Sequence, residues 1–359
     1  MQGIDRPSLR RPLHTLVISE VGVNHNGDLR LAHRMIDESA EAGADVVKFQ
    51  SFDPAELVAI AAPTADYQRR TTGQQAQRQM LESLALPAPA FEELAEHCRE
   101  VGVEFLATAF DWSSLEDLIE IGIRRIKVPS GEIDNVPYLT RLAALGLPLV
   151  ISTGMSDWPE VDRAVIITRE APDVTLLHCV SLYPAPTESA NLSVLPRMHE
   201  RYGLPVGWSD HTTDIEAGII AVAVGASVIE KHLTLDKHLP GPDHAASADP
   251  DEFAAYVAAI RKAEVMLGDG DKRRADGEDE VAFAARRSHH AARNLSAGEV
   301  LTSSDTKLLR PASGVPASSS VEGRRLLVAV GAGEPIEEDM LAPSAAHDSA
   351  ADRSEGDAN

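Results

Sequence analysis

Lys48 and Lys127 each lie near the end of a short apolar run, "DVVKFQ" (45–50) and "RIKVPS" (125–130). Hydroxyl residues stand at or just beyond the ends of runs of the same kind: Thr108, Ser130, Ser152, Ser181 and Ser209. Two cations among hydroxyl donors suit a ligand carrying phosphate and carboxylate. His211 and His232 close two further runs. Neutral imidazole is a ligand for Mn, Fe, Co or Zn. Two imidazoles with Glu20 nearby would leave open positions, as a Lewis-acid site requires. No cysteine stands near either histidine in sequence, which argues against structural zinc. Glu20 and Glu132 are carboxylates at the same kind of position. Lysine can also form Schiff bases, but both lysines sit among phosphate-type donors, which favours anion binding. Glu230, Lys231 and His232 end the run "SVIEKH", and burying charge is costly unless it is paired or bound. The three together read as buried in a polar pocket.

Eight β-rich runs must carry these residues: 15–20, 45–50, 104–109, 125–130, 148–153, 174–179, 205–209 and 227–232. Amphipathic stretches such as "LRLAHRMIDESAEAG" and "SLEDLIEIG" alternate with them, several ending in glycine. Asp214 is placed to cap the helix "IEAGIIAVAVG". Eight strand and helix pairs predict a (β/α)8 TIM barrel of the α/β class, over residues 1–268. A doubly wound sheet is the rival, but "VGVNHNGD" after the first strand is not a Gly-rich phosphate loop. In a barrel the C-terminal strand ends form one mouth. There Glu20, Lys48, Gln50, Thr108, Lys127, Ser130, Glu132, Ser152, Thr153, His178, Ser181, Tyr183, Ser209, Asp210, His211, Glu230 and His232 would meet. One polar strand end means only that the strand reaches solvent; eight of eight mark a site.

After the barrel, "GDGDKRRADGEDE" reads as the start of a linker over 269–287. Short β-like pieces ("HHAARNL", "TKLLRPASG", "RRLLVAV") predict a small β-rich domain over 288–341, and 342–359 reads as a disordered acidic tail. The formal net charge of the 359-residue chain is -23, which argues against nucleic-acid and anionic-membrane partners. Two cysteines, Cys98 and Cys179, make no disulfide framework, and the N-terminal segment lacks the apolar core of a secretory signal. The longest apolar run, 218–229, is too short to span a bilayer. A cytoplasmic protein is expected.

The stretches "SEVGVNHNGD", "GADVVKFQ", "KVPSGEIDN", "ISTGMSD", "LLHCVSLYPAP", "GWSDHTTD" and "IEKHLTLDKHLPGPDHAAS" resemble the sialic acid synthases. "RRSHHAARNLSAGEVLTSSDTKLLRPASG" is similar to that family's C-terminal antifreeze-like (SAF) domain. The resemblance covers residues 15 to about 341 and implies condensation of phosphoenolpyruvate with N-acetylmannosamine to give N-acetylneuraminate. It implies that His211 and His232 bind a divalent ion, Mn²⁺ before Mg²⁺ or Co²⁺. It places Lys48, Thr108, Lys127, Ser130, Ser152, Ser181 and Ser209 around phosphoenolpyruvate, Gln50, Tyr183 and Asp243 on the sugar, and Glu20 and Glu132 beside the reacting centre. It also implies a domain-swapped homodimer in which Arg310 reaches the partner's barrel and holds the N-acetyl group. The chain departs from the family at "ATAFDWSS" and at the Ala-Ser of "LLRPASG".

Relatives make legionaminic or pseudaminic acid, and "DYQRRTTGQQAQRQMLESLAL" is closer to the neuraminic and legionaminic branches. A legionaminic-type synthase would use 2,4-diacetamido-2,4,6-trideoxymannose. Two further readings remain: a barrel making another 3-deoxy-ulosonic acid, and a non-catalytic sugar-acid-binding barrel.

Overall fold

The computed structural model describes residues 14–64, 69, 72, 73 and 76–343. From residue 344 onward the expected acidic tail lies outside them. Eight strands form a closed parallel barrel in sequence order: β1 (Leu16–Gly22), β2 (Val46–Ser51), β3 (Glu104–Ala109), β4 (Ile126–Val128), β5 (Leu149–Ser152), β6 (Val174–Cys179), β7 (Val206–Asp210) and β8 (Val228–His232). The barrel closes where β1 pairs with β8, Glu20 opposite His232.

Side chains alternate across a strand, so residues two apart share a face. Inside the barrel this builds two layers. Ile18, Val46, Leu106, Val150, Leu177 and Val228 pack as an apolar floor. Two residues further along those six strands come Glu20, Lys48, Thr108, Ser152, Cys179 and Glu230, all lining one cavity. In β7, Gly207 lies at floor level; a Cβ there would come within 2.4 Å of the Val228 carbonyl oxygen and 2.6 Å of Leu177. The outward faces pack under the helices around Trp208, Phe49, Phe253 and Tyr256, all fully buried.

The barrel helices are α1 (Leu29–Glu41), α4 (Ala88–Val101), α5 (Trp112–Ile121), α6 (Val136–Ala143), α7 (Trp158–Thr168), α8 (Val194–Tyr202), α9 (Ile215–Ala223) and α10 (Pro250–Leu267). Among the described residues, the connection from β2 to α4 includes the short helices α2 (Pro54–Leu57) and α3 (Gln77–Leu84). Asp157 and Asp249 begin α7 and α10 with capping boxes, which satisfy orphan N–H groups reciprocally. Gly102 and Gly122 end α4 and α5 at φ 85° and 92°. Asp214 stands at the N-cap of α9 but caps no N–H group; its carboxylate accepts from the Thr187 hydroxyl instead.

The chain divides into two compact units, residues 1–269 and 270–359. The second begins with charged sequence that includes a helix, α11 (Glu278–Ala285), where a linker is expected. β9 (Ser288–Ala291) and β10 (Thr306–Leu309) pair antiparallel over a core containing Ala291, Leu295, Leu301, Val315 and Leu326. "RRLLVAV" forms no strand; its residues make isolated bridges, such as Arg325 with Val300 and Val330 with Leu295.

Candidate active site

The mouth of the barrel is a cavity of about 620 Å³. Of the strand-end residues expected at the mouth, all line it except Thr153, His178 and Asp210; Asp243 lines it as well and Arg310 does not. Arg310 lies in the second unit, immediately after β10, with its side chain exposed. Among the other strand-end residues, Thr153 turns its hydroxyl to the Leu177 carbonyl, and His178 bonds the Ala190 carbonyl and packs on Trp208. Asp210 and Lys231 face away from the cavity and pair with each other. The run at the end of β8 is thus buried in two directions. Glu230 and His232 enter the polar pocket, while Lys231 lies under the helices.

Four buried charges alternate across the base of the cavity. Lys48 Nζ is 2.7 Å from Glu20 Oε2 and 3.6 Å from Glu230 Oε2; Lys127 Nζ is 3.6 Å from Glu230 Oε1. Hydroxyls complete the array, with Thr108 Oγ1 accepting from Lys48 at 3.1 Å and Ser152 Oγ from Lys127 at 2.8 Å. Ser209 donates to Glu230 at 2.8 Å, and Gln50 Nε2 to Glu20 at 2.9 Å. The two carboxyls differ in character. Burial opposes ionisation of Glu230, but Lys127 and Lys48 outweigh it and hold its pKa at about 2. Burial prevails at Glu20, helped by the charge on Glu230, and raises its pKa despite Lys48. Divergence of this kind separates a proton carrier from a fixed charge. Burial also lowers the pKa of Lys127, against the pull of Glu230, while Glu20 and Glu230 raise that of Lys48 against its own burial. Glu230 is thus the central acceptor of the array; its polar type at a strand end was legible, its position between both lysines was not.

Above Lys127 the backbone N–H of Gly154 donates to Ser130 Oγ at 3.0 Å. A Cβ on residue 154 would lie 2.3 Å from Ser181 Oγ and 2.8 Å from Ser130 Oγ. Only glycine lets these hydroxyls converge, a requirement the sequence reading missed. Glu132 sits at the rim, its Oε2 accepting from Asn135 at 2.6 Å. Asp243 is buried, and burial pushes its pKa up to about 6 against the fields of His211 and Lys48.

His211 and His232 bring their rings to 5.5 Å, and Tyr183 packs against His211 at 4.1 Å with the rings tilted by 36°. His211 Nδ1 lies 2.7 Å from the Val180 carbonyl. Only Nδ1–H can donate there, so in the neutral ring Nε2 keeps its lone pair. His232 Nδ1 is buried without a hydrogen-bond partner, and burial, with His211 and Lys48, drives the His232 pKa well below its ordinary value. Burial would lower the His211 pKa, but Cys179 and the Val180 carbonyl outweigh it and raise that pKa. In their neutral forms the two imidazoles, one oriented by a carbonyl, fit a borderline divalent ion. Glu20 is engaged by Lys48 and Gln50, and among the described residues no group of three or more His, Cys, Asp or Glu side chains is placed to hold a metal. The fold does bring a cysteine to the histidines: Cys179 Sγ is 3.8 Å from His211 Nδ1.

The same cavity has an apolar wall. Phe52, Leu57 and Val58 come from the β2 loop and α2, Met80, Leu81 and Leu84 from α3. Within it Val23, Phe52, Met80 and Leu84 form one buried cluster. Asp111, in the altered "AFDWSS" loop, steadies this side by accepting from Asp53 N at 2.7 Å while capping α5.

A parallel (β/α)8 barrel with cations, hydroxyls and imidazoles at its C-terminal mouth has the architecture of an enzyme that handles small anions. The chain belongs to the NeuB family, whose signature matches residues 35–272, and a SAF domain matches residues 286–342. It is 43% identical over 326 residues to N,N'-diacetyllegionaminic acid synthase of Legionella pneumophila, covering 88% of this chain and 92% of that protein. It is 35% identical to mouse N-acetylneuraminate-9-phosphate synthase, over 71% of this chain and 72% of that one. The crystal structure of N-acetylneuraminic acid (sialic acid) synthetase from Leptospira borgpetersenii, 35% identical, superposes with a TM-score of 0.66 over 75% of this chain and 90% of that one.

Proposed function

We propose that this protein condenses phosphoenolpyruvate with an N-acylated amino-hexose and water, giving a nonulosonic acid and phosphate. The observation that carries this reading is the array of Lys48 and Lys127 with Thr108, Ser130, Ser152, Ser181 and Ser209 around one cavity. Such donors suit the phosphate and carboxylate of phosphoenolpyruvate. In the reaction, C3 of phosphoenolpyruvate attacks the aldehyde carbon of the open-chain sugar, leaving a cation at C2. Water adds there, and the tetrahedral intermediate expels phosphate by cleavage of its C–O bond. Glu230 stays ionised close to both lysines, offsetting their charge until substrate enters. Glu20, with its raised pKa, takes the proton of the adding water. Glu132 is the second carboxylate suited to that task from the rim. Gln50, Tyr183 and Asp243 contact the sugar. A divalent ion, Mn²⁺ before Mg²⁺ or Co²⁺, would be held by His211 and His232 and would supply Lewis acidity toward the aldehyde oxygen.

For the acceptor we favour 2,4-diacetamido-2,4,6-trideoxymannose over N-acetylmannosamine. Leu57, Val58, Met80, Leu81 and Leu84 form an apolar wall in the cavity, which suits a C6 methyl and a second acetyl group. The 43% identity to the Legionella synthase supports the same choice. An added hydroxyl against apolar surface is rejected by up to roughly 100-fold. The test is kcat/KM for the two acceptors at saturating phosphoenolpyruvate: the deoxy sugar should lead by about 10- to 100-fold, and a lead for N-acetylmannosamine reverses the assignment. The proposal includes a domain-swapped homodimer in the cytoplasm, with Arg310 of one copy meeting the acyl group in the other's cavity. Among the described residues no helix is long and apolar enough to cross a membrane.

A further inference from the structure

Asp210 and Lys231 are directly opposed in the register of β7 and β8, on the face turned away from the cavity. Both are buried, 1% and 5% exposed. β1 sets the buried Ser19 opposite Lys231, whereas β2 to β5 turn the apolar Phe49, Ala107, Val128 and Ile151 outward. A buried ion pair is a weak source of stability, since apolar side chains of similar size often serve as well. This pair does something that apolar residues cannot. Asp210 Oδ1 accepts from the backbone N–H and the hydroxyl of Thr212, at 2.8 and 2.7 Å. Asp210 Oδ2 accepts from Lys231 at 3.1 Å and from Tyr256, on α10, at 2.7 Å. Lys231 also donates to the Thr212 carbonyl at 2.8 Å and lies 4.8 Å from the centre of the Tyr256 ring.

Residues 210 and 212 are therefore both fastened on the outer side, and His211 between them is turned inward. The same bond ties β8 to β7 in a register that points Glu230 and His232 into the cavity. Slipping β8 by one residue would turn both outward and Lys231 in.

We propose that Asp210, Lys231 and Tyr256 form a positioning device that sets the geometry of His211 and His232 for a divalent ion without touching substrate. This rests on the metal reading of those histidines. The test is titration of wild-type and variant full-length chains with Mn²⁺, following free Mn²⁺ by electron paramagnetic resonance, alongside thermal melts. The double variant Asp210→Asn/Lys231→Met removes both charges, so neither is left unpaired. It should melt cooperatively, yet bind Mn²⁺ about 10- to 100-fold more weakly, the loss typical when groups behind metal ligands are removed. Tyr256→Phe removes one hydroxyl and should weaken binding by a smaller factor, at least about twofold. Mn²⁺ affinity within twofold of wild type in a cooperatively melting double variant overturns the proposal. Should the double variant fail to fold, unchanged affinity in Tyr256→Phe overturns it equally. Absence of Mn²⁺ binding by the wild-type chain removes the metal reading itself, and the proposal with it.

Discussion

Replacing Lys127 by methionine separates the anion-binding role of the lysines from a purely structural one. Lys127 Nζ faces Glu230 at 3.6 Å and donates to Ser152 at 2.8 Å, in a setting where both charges are buried. Its removal leaves Glu230 compensated by Lys48 alone, also at 3.6 Å. Breaking a buried pair costs about 3–5 kcal/mol, and the remaining lysine puts this case at the lower end. A loss of about 3 kcal/mol lowers the melting temperature by roughly 6 to 12 °C in a domain of this size. The double variant Lys127→Met/Glu230→Gln removes the orphaned charge, keeps a bonding partner for Ser209, and should regain most of that loss. Affinity for phosphoenolpyruvate should not return with it. A charge-assisted hydrogen bond contributes about 1.5–3 kcal/mol, so the dissociation constant should stay roughly 10- to 150-fold above wild type. Calorimetric titration with phosphoenolpyruvate and melting curves on the three proteins give both quantities. Affinity that recovers together with stability would mean that Lys127 serves the fold and not the ligand.

Other outcomes follow from single positions. Gly154→Ala places a methyl group 2.3 Å from Ser181 Oγ and 2.8 Å from Ser130 Oγ, so KM for phosphoenolpyruvate should rise at least about fivefold, given an overpacking cost of about 1–3 kcal/mol, while KM for the sugar changes little; steady-state phosphate release measures both. Asp243 has its pKa raised by burial to about 6, so its contribution to stability is present below about pH 4 and is lost as pH rises through 6. Asp243→Asn should accordingly raise the melting temperature at pH 8 and leave it unchanged near pH 4; an equal shift at both values contradicts the raised pKa. Mixing Arg310→Ala subunits with His232→Ala subunits and allowing exchange should restore activity, up to about half per heterodimer; exchange without recovery excludes action of Arg310 in trans.

The barrel was legible because each of its eight strands is a short apolar run between amphipathic segments, and parallel strands buried on both faces read that way. The site was legible for a related reason. Period-two alternation lifts a polar layer directly above the apolar floor, so Ile18 leads to Glu20 and Val46 to Lys48. Direction was harder. Glu230, Lys231 and His232 are adjacent, and applying the alternation strictly would have sent Lys231 outward to Asp210, though not shown that Tyr256 waits there. Contacts between distant segments left no local signal. The apolar wall depends on α3 packing with the β2 loop, and the approach of Cys179 to His211 depends on β6 lying beside β7, which His211 follows. Asp214 lies at the position a cap should take, yet Thr187 claims its carboxylate. The linker reading at 269–287 rested on charge and glycine, and Glu278–Ala285 is helical all the same.

The central claim is most directly tested by the fate of the oxygen that bridges C2 and phosphorus in phosphoenolpyruvate. Phosphoenolpyruvate labelled with ¹⁸O at that position is incubated with the protein, Mn²⁺ and 2,4-diacetamido-2,4,6-trideoxymannose or N-acetylmannosamine, and the products are weighed by mass spectrometry. Addition of water at C2 and expulsion of phosphate predicts phosphate that carries the label, released only when sugar is present, in equal amount with an unlabelled nonulosonic acid. Label retained in the sugar acid, or phosphate released at the same rate without any acceptor, would contradict it.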